Sequence, residues 1–424
     1  MTSLASYPAE IAAALQRRWT AMELPADALP AADAVAQLVD TMYQASLLRE
    51  EGSGVRCRII VAPPSEFAAE LSTGASQLHV LRFTERRDFT PHQLRKLAAA
   101  AGYYRALLAV DQNADGQLSI WGMVITGTDW VNRVEGERVR ELWLPTRPVI
   151  HCVGPGHLIA AAGYSRILES SGGKLLTDGF DPFRSSWLSH QFRQVRTSLI
   201  EELAELETDS SKTRMCDSFV KDIAQSVVRR VLHLVRTRGH GGMLVFLPNG
   251  LESNPLVDRW FRFRVRFEGD DSTLRFRRLI LNLMQQGRKA GEARGLDQVT
   301  WDDYLQMRHA ELAQLDAALL EFGHFLADLM SADGSLVVDR SFRLVGFGAE
   351  ILGDSHVNTI HRAFDLEAIN AVPEPADSSG TRHRSAYRLV SGLREAIAVV
   401  VSQDGDVRFV AHHKDKLTYW PYLP

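Results

Sequence analysis

The sequence predicts an α/β C-terminal domain with a central mixed sheet flanked by helices, preceded by an α+β N-terminal module. Three observations carry this. Short strand signals crowd residues 55–168 with few helices between them, as in a compact α+β unit. In the second half, helical repeats alternate with apolar runs of strand length, Met243–Leu247, Leu336–Val338 and Ala396–Val401. Between the halves a charged helical stretch is broken by Asp209-Ser210-Ser211. The predicted division is therefore residues 1–210 and 211–424.

In the first module, Ile11, Leu15 and Trp19 share one helical face, and Val35, Leu38, Val39 and Met42 another. Pro25 and Pro30 separate the two helices. Strand signals follow at Val55–Ala62 and Leu78–Phe83. Thr90-Pro91 opens a helix that Gly102 ends, with proline at the first helical position. Ala106–Val110 and Leu118–Ile125 read as a hairpin. Pro148–Val153, His157–Ala162 and Arg166–Leu168 add short strands around Gly154-Pro155-Gly156.

Residues 192–207, the end of the first module, are helical and charged; in the second half Phe219, Ile223, Val227 and Val231 mark a helix reaching Thr237. Residues 251–310 read as an insertion. It holds Arg262–Phe267, which alternates like a strand, and a helix near Leu279–Met284. Asp302–Leu329 is helical and leads into Asp333-Gly334-Ser335.

Two stretches carry chemistry. Asp333-Gly334-Ser335 sits where that helix hands over to the strand Leu336–Val338. In Gly380-Thr381-Arg382-His383-Arg384, Thr381 is a natural N-cap, and Ala386, Leu389, Val390 and Leu393 then fall on one face. Arg382, His383 and Arg384 would occupy the first turn. Positive charge there opposes the helix dipole, and a bound anion removes the conflict. Two arginines with no acid between them suit a polyphosphate better than an internal salt bridge. A carboxylate at a strand start plus a basic helix start suggests metal-assisted chemistry on a nucleotide.

These pieces, followed by Val399-Val400-Val401-Ser402-Gln403-Asp404 and preceded by Gly241-Gly242-Met243-Leu244-Val245, resemble in order the catalytic domain of diadenylate cyclases. The N-terminal module resembles the regions, taken to be sensors, that precede one branch of that family (DACNV-like). The resemblance implies condensation of two ATP into cyclic di-AMP with release of two pyrophosphates. It implies Asp333 as catalytic residue and metal ligand for Mg2+ or Mn2+. It implies Gly334, Ser335, Thr381, Arg382, His383, Arg384 and Ser402 as the ATP site. It also implies a homodimer or higher oligomer, because each subunit holds half the reaction. Ser335 stands where most members have alanine. Gln403 stands where an acid follows the serine, and Asp404 either takes that second metal-binding role or serves only the turn Asp404-Gly405. The stretch 350–379 is longer than in well-known members and reads as a loop or lid. The competing reading is a nucleotide or cyclic-dinucleotide sensor without turnover.

Composition narrows the remaining classes. With 45% apolar and 24% charged residues the profile is that of an ordinary soluble chain, and no run approaches the about 18 apolar residues of a membrane span. A net charge of −4 argues against nucleic acid as the main partner, leaving Arg262–Phe267 as a half-buried strand rather than a single-strand platform. Cys57, Cys152 and Cys216 are far apart and odd in number, fitting reduced residues of a cytoplasmic protein. Asp111–Gly116 opens like a calcium loop, but the twelfth position is Gly122, so a hairpin turn is expected. His151 and His157 lack metal-binding companions.

Overall fold

The structure is a computed structural model. It describes residues 7–70, 78–113, 116–126, 144–163, 165–171, 173–176, 181–205, 213–251, 255–269, 271–307, 309–353, 356–403 and 405–422. The described residues form two compact units, one ending at Leu176 and the other starting at Asp181.

In the first unit, helices α1 (Pro8–Ala21), α2 (Ala32–Ser46) and α3 (Pro91–Ala101) cover an eight-stranded sheet. Its strands are β1 (Cys57–Val61), β2 (His79–Asp88), β3 (Ala106–Gln112), β4 (Leu118–Ile125), β5 (Pro148–Gly154), β6 (His157–Ala162), β7 (Ser165–Ser171) and β8 (Lys174–Leu176). They lie in the order β8-β7-β6-β5-β1-β3-β4-β2. The central strand β1 is buried throughout. Its period-two alternation sends Ile59 and Val61 into the core beneath the helices and Ile60 into a smaller core on the other face. Thr90 caps α3 by accepting from Gln93 N, and Gly102 ends it at φ 63°. Asp111 and Gln112 end β3 opposite Ser119 and Leu118 of β4, and Ala114 and Asp115 of the stretch that opens like a calcium loop lie outside the described residues. His157 pairs with Glu169 at 2.9 Å, and His151 meets the Tyr103 hydroxyl at 3.4 Å.

The second unit is an α/β/α sandwich on a ten-stranded mixed sheet. Its principal strands are β9 (Gly242–Leu247), β10 (Ser335–Asp339), β11 (Leu344–Ile351), β12 (Thr359–Ala363), β13 (Ala371–Pro375), β14 (Ile397–Val401), β15 (Val407–His413) and β16 (Lys416–Tyr422). Their order is β11-β10-β9-β14-β15-β16-β12-β13. Alternation divides the core. Leu244, Phe246, Leu336, Val338 and Val399 face one side, where they meet α4 (Ser186–Gln191), α5 (Arg193–Glu205), α6 (Asp217–Arg238), α8 (Arg275–Ala293) and α10 (Ala310–Ser331). Met243, Val245, Val337, Ala398 and Val400 face the other, against α11 (Thr381–Gly392) and the short α7 (Pro255–Trp260).

Three expectations change here. Residues 181–205 belong with the second core, since Trp187, Val195 and Leu199 pack with Phe219 and Ile223, so the division falls before residue 210. The helix expected over 302–329 is two, α9 (Trp301–Gln306) and α10, the former opened by a Thr300–Asp303 capping box and ended at Met307. Residues 251–310, read as an insertion, pack into this unit. Phe276, Ile280 and Met284 of α8 complete the core against α10, and the Trp260 indole lies between Gly353 and Gly392, where no Cβ would fit. The stretch 350–379 is not a loop: it ends β11 and adds β12 and β13, with β12 pairing in parallel with β16. Backbone pairing at an open sheet edge decides that, and apolar patterning does not record it.

Candidate functional site

The site follows from strand direction. β9 and β10 run parallel with Met243 opposite Ser335, so both begin at one end of the sheet. β11 and β14 run antiparallel to them and finish there, with Ala349 opposite Ser335 and Val401 opposite Gly242. α11 starts at the same end, because it returns directly into β14. The result is a cleft of ≈ 640 Å³, lined by Asp333, Gly334, Ser335, Thr381 and Arg382 together with Arg262, Phe263, Arg264, Glu350, Ser385 and Arg388.

Asp333 is exposed and has no ion-pair partner among the described residues. Gly334 is required behind it. Its φ is 112°, and a Cβ there would stand 2.6 Å from the Gly348 carbonyl carbon. Gly348, itself at φ 60°, lets the Arg264 side chain cross β11. Gly334→Ala should therefore lower stability by about 1–3 kcal/mol and shift Asp333. Denaturant unfolding checks this, and an unchanged midpoint would remove the close-approach argument. Ser335 is buried within the sheet.

The basic helix start divides. Gly380, not Thr381, is the N-cap residue. Thr381 is the first helical residue, and no side chain caps the helix. Arg382, Ser385 and Arg388 recur at three-residue spacing and face the cleft, whereas Arg384 is exposed and does not line it. Arg382 lies over Gly241, whose added Cβ would sit 2.9 Å from Arg382 Nη1. Arg388 donates to Ser385 Oγ at 3.2 Å and keeps its Nε buried without a partner.

His383 points inward, 5% exposed, with Nε2 unbonded and 3.8 Å from Asp406 Oδ2. Burial, then the Arg408 charge, outweigh Asp406 and pull its pKa down to about 4, Arg382 adding to the lowering. The ring is neutral at pH 7 in this fold. The unfolded chain takes up this proton near the ordinary histidine value. Stability contributed above pH 6.5 is therefore lost progressively as pH falls toward 4. His412 and His413 are depressed too, so the test is a comparison of urea midpoints from pH 7.5 to 4.5. His383→Gln should lose less stability across that window than the parent. Equal losses would exclude His383 as the source.

Ser402 serves the turn after β14. Its hydroxyl accepts from Asp406 N at 3.0 Å and its carbonyl from Gly405 N at 3.1 Å. It does not line the cleft, and Asp404 lies outside the described residues. The acid that reaches the helix start is Asp406. It accepts from Arg408 Nε at 2.7 Å, and Arg408 Nη1 donates to Tyr387 Oη at 2.8 Å and Ser379 Oγ at 3.1 Å. The guanidinium also lies 4.6 Å above the Tyr419 ring. This buckle ties the first turns of α11 to β15.

The expected strand Arg262–Phe267 is two pieces, Phe261–Arg262 and Val265–Arg266, both paired with β11. Phe263 and Arg264 between them turn into the cleft, because Gly346 and Gly348 of β11 leave room for them. This motif is a cleft wall. Sequence reasoning missed Ser385 and Arg388, which follow Arg382 at helical spacing, and Arg264, which no local signal marks.

Among the described residues no group of three or more His, Cys, Asp or Glu side chains is placed to hold a metal. The cleft offers Asp333 and Glu350, the latter bonded to Arg262 Nη1 at 3.1 Å. One or two carboxylates suit a magnesium-type ion whose remaining ligands are phosphate oxygens and water.

Residues 24–125 match the family model of the probable sensor domain DACNV. No curated protein matches the chain. A solved structure described as a hypothetical membrane spanning protein from Bacillus cereus aligns with 56% of this chain and 93% of its own at 13% identity, with a TM-score of 0.23, too low to bear on fold or function. Among the described residues no helix is long and apolar enough to cross a membrane. In its N-terminal part, then, the chain is similar to a probable sensor domain, DACNV.

Proposed function

We propose that the second unit is a diadenylate cyclase, condensing two ATP into cyclic di-AMP and two pyrophosphates, and that the first, sensor-like unit controls it. One observation carries the reading. Asp333 and Arg382, remote in sequence, line one cleft at the strand ends, with Arg264 and Arg388 beside them. Four arginines against two carboxylates suit a polyanion. The exposed carboxylate of Asp333 suits the place where a ribose 3′-hydroxyl is oriented toward a phosphate. A bound Mg2+ or Mn2+ would be held by Asp333 and phosphate oxygens and would offset charge at the reacting phosphate. Arg382 and Arg388 hold and orient the triphosphate from the helix side. The 3′-hydroxyl of one ATP attacks the α-phosphorus of the other, its proton passes to the Asp333 carboxylate and on to solvent, and pyrophosphate departs. Repeating the step on the second pair closes the ring. Each subunit supplies one ATP, so the working form is a homodimer or a larger assembly.

A second reading, nucleotide binding without turnover, has its own support. Ser402 is committed to a turn, and Glu350 is already paired with Arg262. Incubating the chain with ATP and Mn2+ or Mg2+, and resolving products by chromatography and mass spectrometry, separates the two. Cyclic di-AMP establishes the cyclase. Bound ATP with no pyrophosphate released establishes the second reading.

A further inference from the structure

A second cavity lies within the same unit and shares no residue with the cleft. It holds ≈ 70 Å³ between α4, α5, α6 and the sheet face they cover. Phe183, Phe192, Phe246, Phe342 and Phe409 supply much of its wall. Phe246 and Phe342 lie toward the end of β9 and just beyond β10, so the cavity sits at the opposite end of these strands from Met243 and Ser335.

Its charges all have one sign. Arg196, Lys221 and Arg340 line it, and no carboxylate does. The two guanidiniums are bonded to neutral oxygens, Arg196 Nη1 to Ser189 O at 2.8 Å and Arg340 Nη2 to Glu395 O at 2.7 Å. Arg340 Nε is buried without a partner. Burial is the leading influence on both arginines and lowers their pKa, against weaker support from Asp217 and Glu395 outside the lining. Partly desolvated cations beside an apolar hollow, with no acid in its wall, form an anion site joined to an apolar one.

We propose that this cavity binds a small organic acid, its anionic head against one of the lining cations Arg196, Lys221 or Arg340 and a short apolar tail among the phenylalanines. The inference does not depend on the cyclase reading, because it uses none of the cleft residues. A neutral tail of the same size gains the apolar contact but leaves the cations unanswered. A cationic head is repelled.

The test uses the full chain and three probes with one tail: butanoate, butan-1-ol and butylamine. Binding is followed by calorimetry and by ligand-observed NMR. Butanoate should bind saturably, and the alcohol and amine at least about tenfold more weakly, as the loss of one charge-assisted contact implies. Ala224→Leu places extra carbon into the hollow and should abolish butanoate binding while the melting temperature holds or rises. Lys221→Gln should reduce the preference for butanoate over butan-1-ol and leave the fold intact. Three probes binding alike would overturn the proposal. So would undiminished butanoate binding in a folded Ala224→Leu protein, or no butanoate binding at millimolar concentration.

Discussion

Asp333→Asn should remove cyclic di-AMP formation, by about 10²-fold or more, while leaving the fold unchanged. The argument has two parts. Asp333 is exposed and makes no ion pair among the described residues, so an isosteric amide costs little folding stability, within about 0.5 kcal/mol. The amide nevertheless removes the negative charge that would hold a divalent ion beside the reacting phosphate, and such preorganised electrostatic contacts are worth about 10²–10³ in rate. Product formation and the unfolding midpoint are measured on the same preparation. If the variant turns over at the parent rate, Asp333 has no catalytic role. If both proteins bind ATP and neither makes product, the chain is a nucleotide-binding protein without turnover.

Arg382→Ala should weaken ATP binding by about tenfold or more, and Arg384→Ala should change it little. Both arginines belong to the same basic turn, so the sequence treats them alike. The structure does not: Arg382 lines the cleft beside Gly241, whereas Arg384 faces solvent away from it. A charged hydrogen bond to phosphate is worth about 1.5–3 kcal/mol, which sets the expected loss for Arg382. Arg388→Ala should follow Arg382 in direction. Calorimetric titration with ATP reads all three. Equal losses for Arg382 and Arg384 would mean that the first turn meets the ligand from another side than the cleft.

The sequence by itself determined the secondary structure of most of both units, because alternating apolar residues and helical repeats are local records of burial. β9, β10 and β14 lie close to the apolar runs that announce them, and α3 lies between the proline and glycine that bound it. It also marked the basic helix start, since cations at a helix N-terminus are locally unfavourable without an anion, and it marked Asp333 through the resemblance of Asp333-Gly334-Ser335 and the later Thr381–Arg384 to one family's motifs. Which side chains of that turn face the cleft was settled by tertiary packing. α11 buries His383, Ala386 and Tyr387 against the sheet, and a helix that buries one face must turn Arg382, Ser385 and Arg388 to another. The same holds for Asp406 over Ser402, since the hairpin turn consumes the serine hydroxyl and leaves the later acid free to reach Arg408. Phe263 and Arg264 enter the cleft only because two glycines of β11, distant in sequence, leave space for them. Local patterning records whether a residue is buried; it does not record which distant backbone makes room for it.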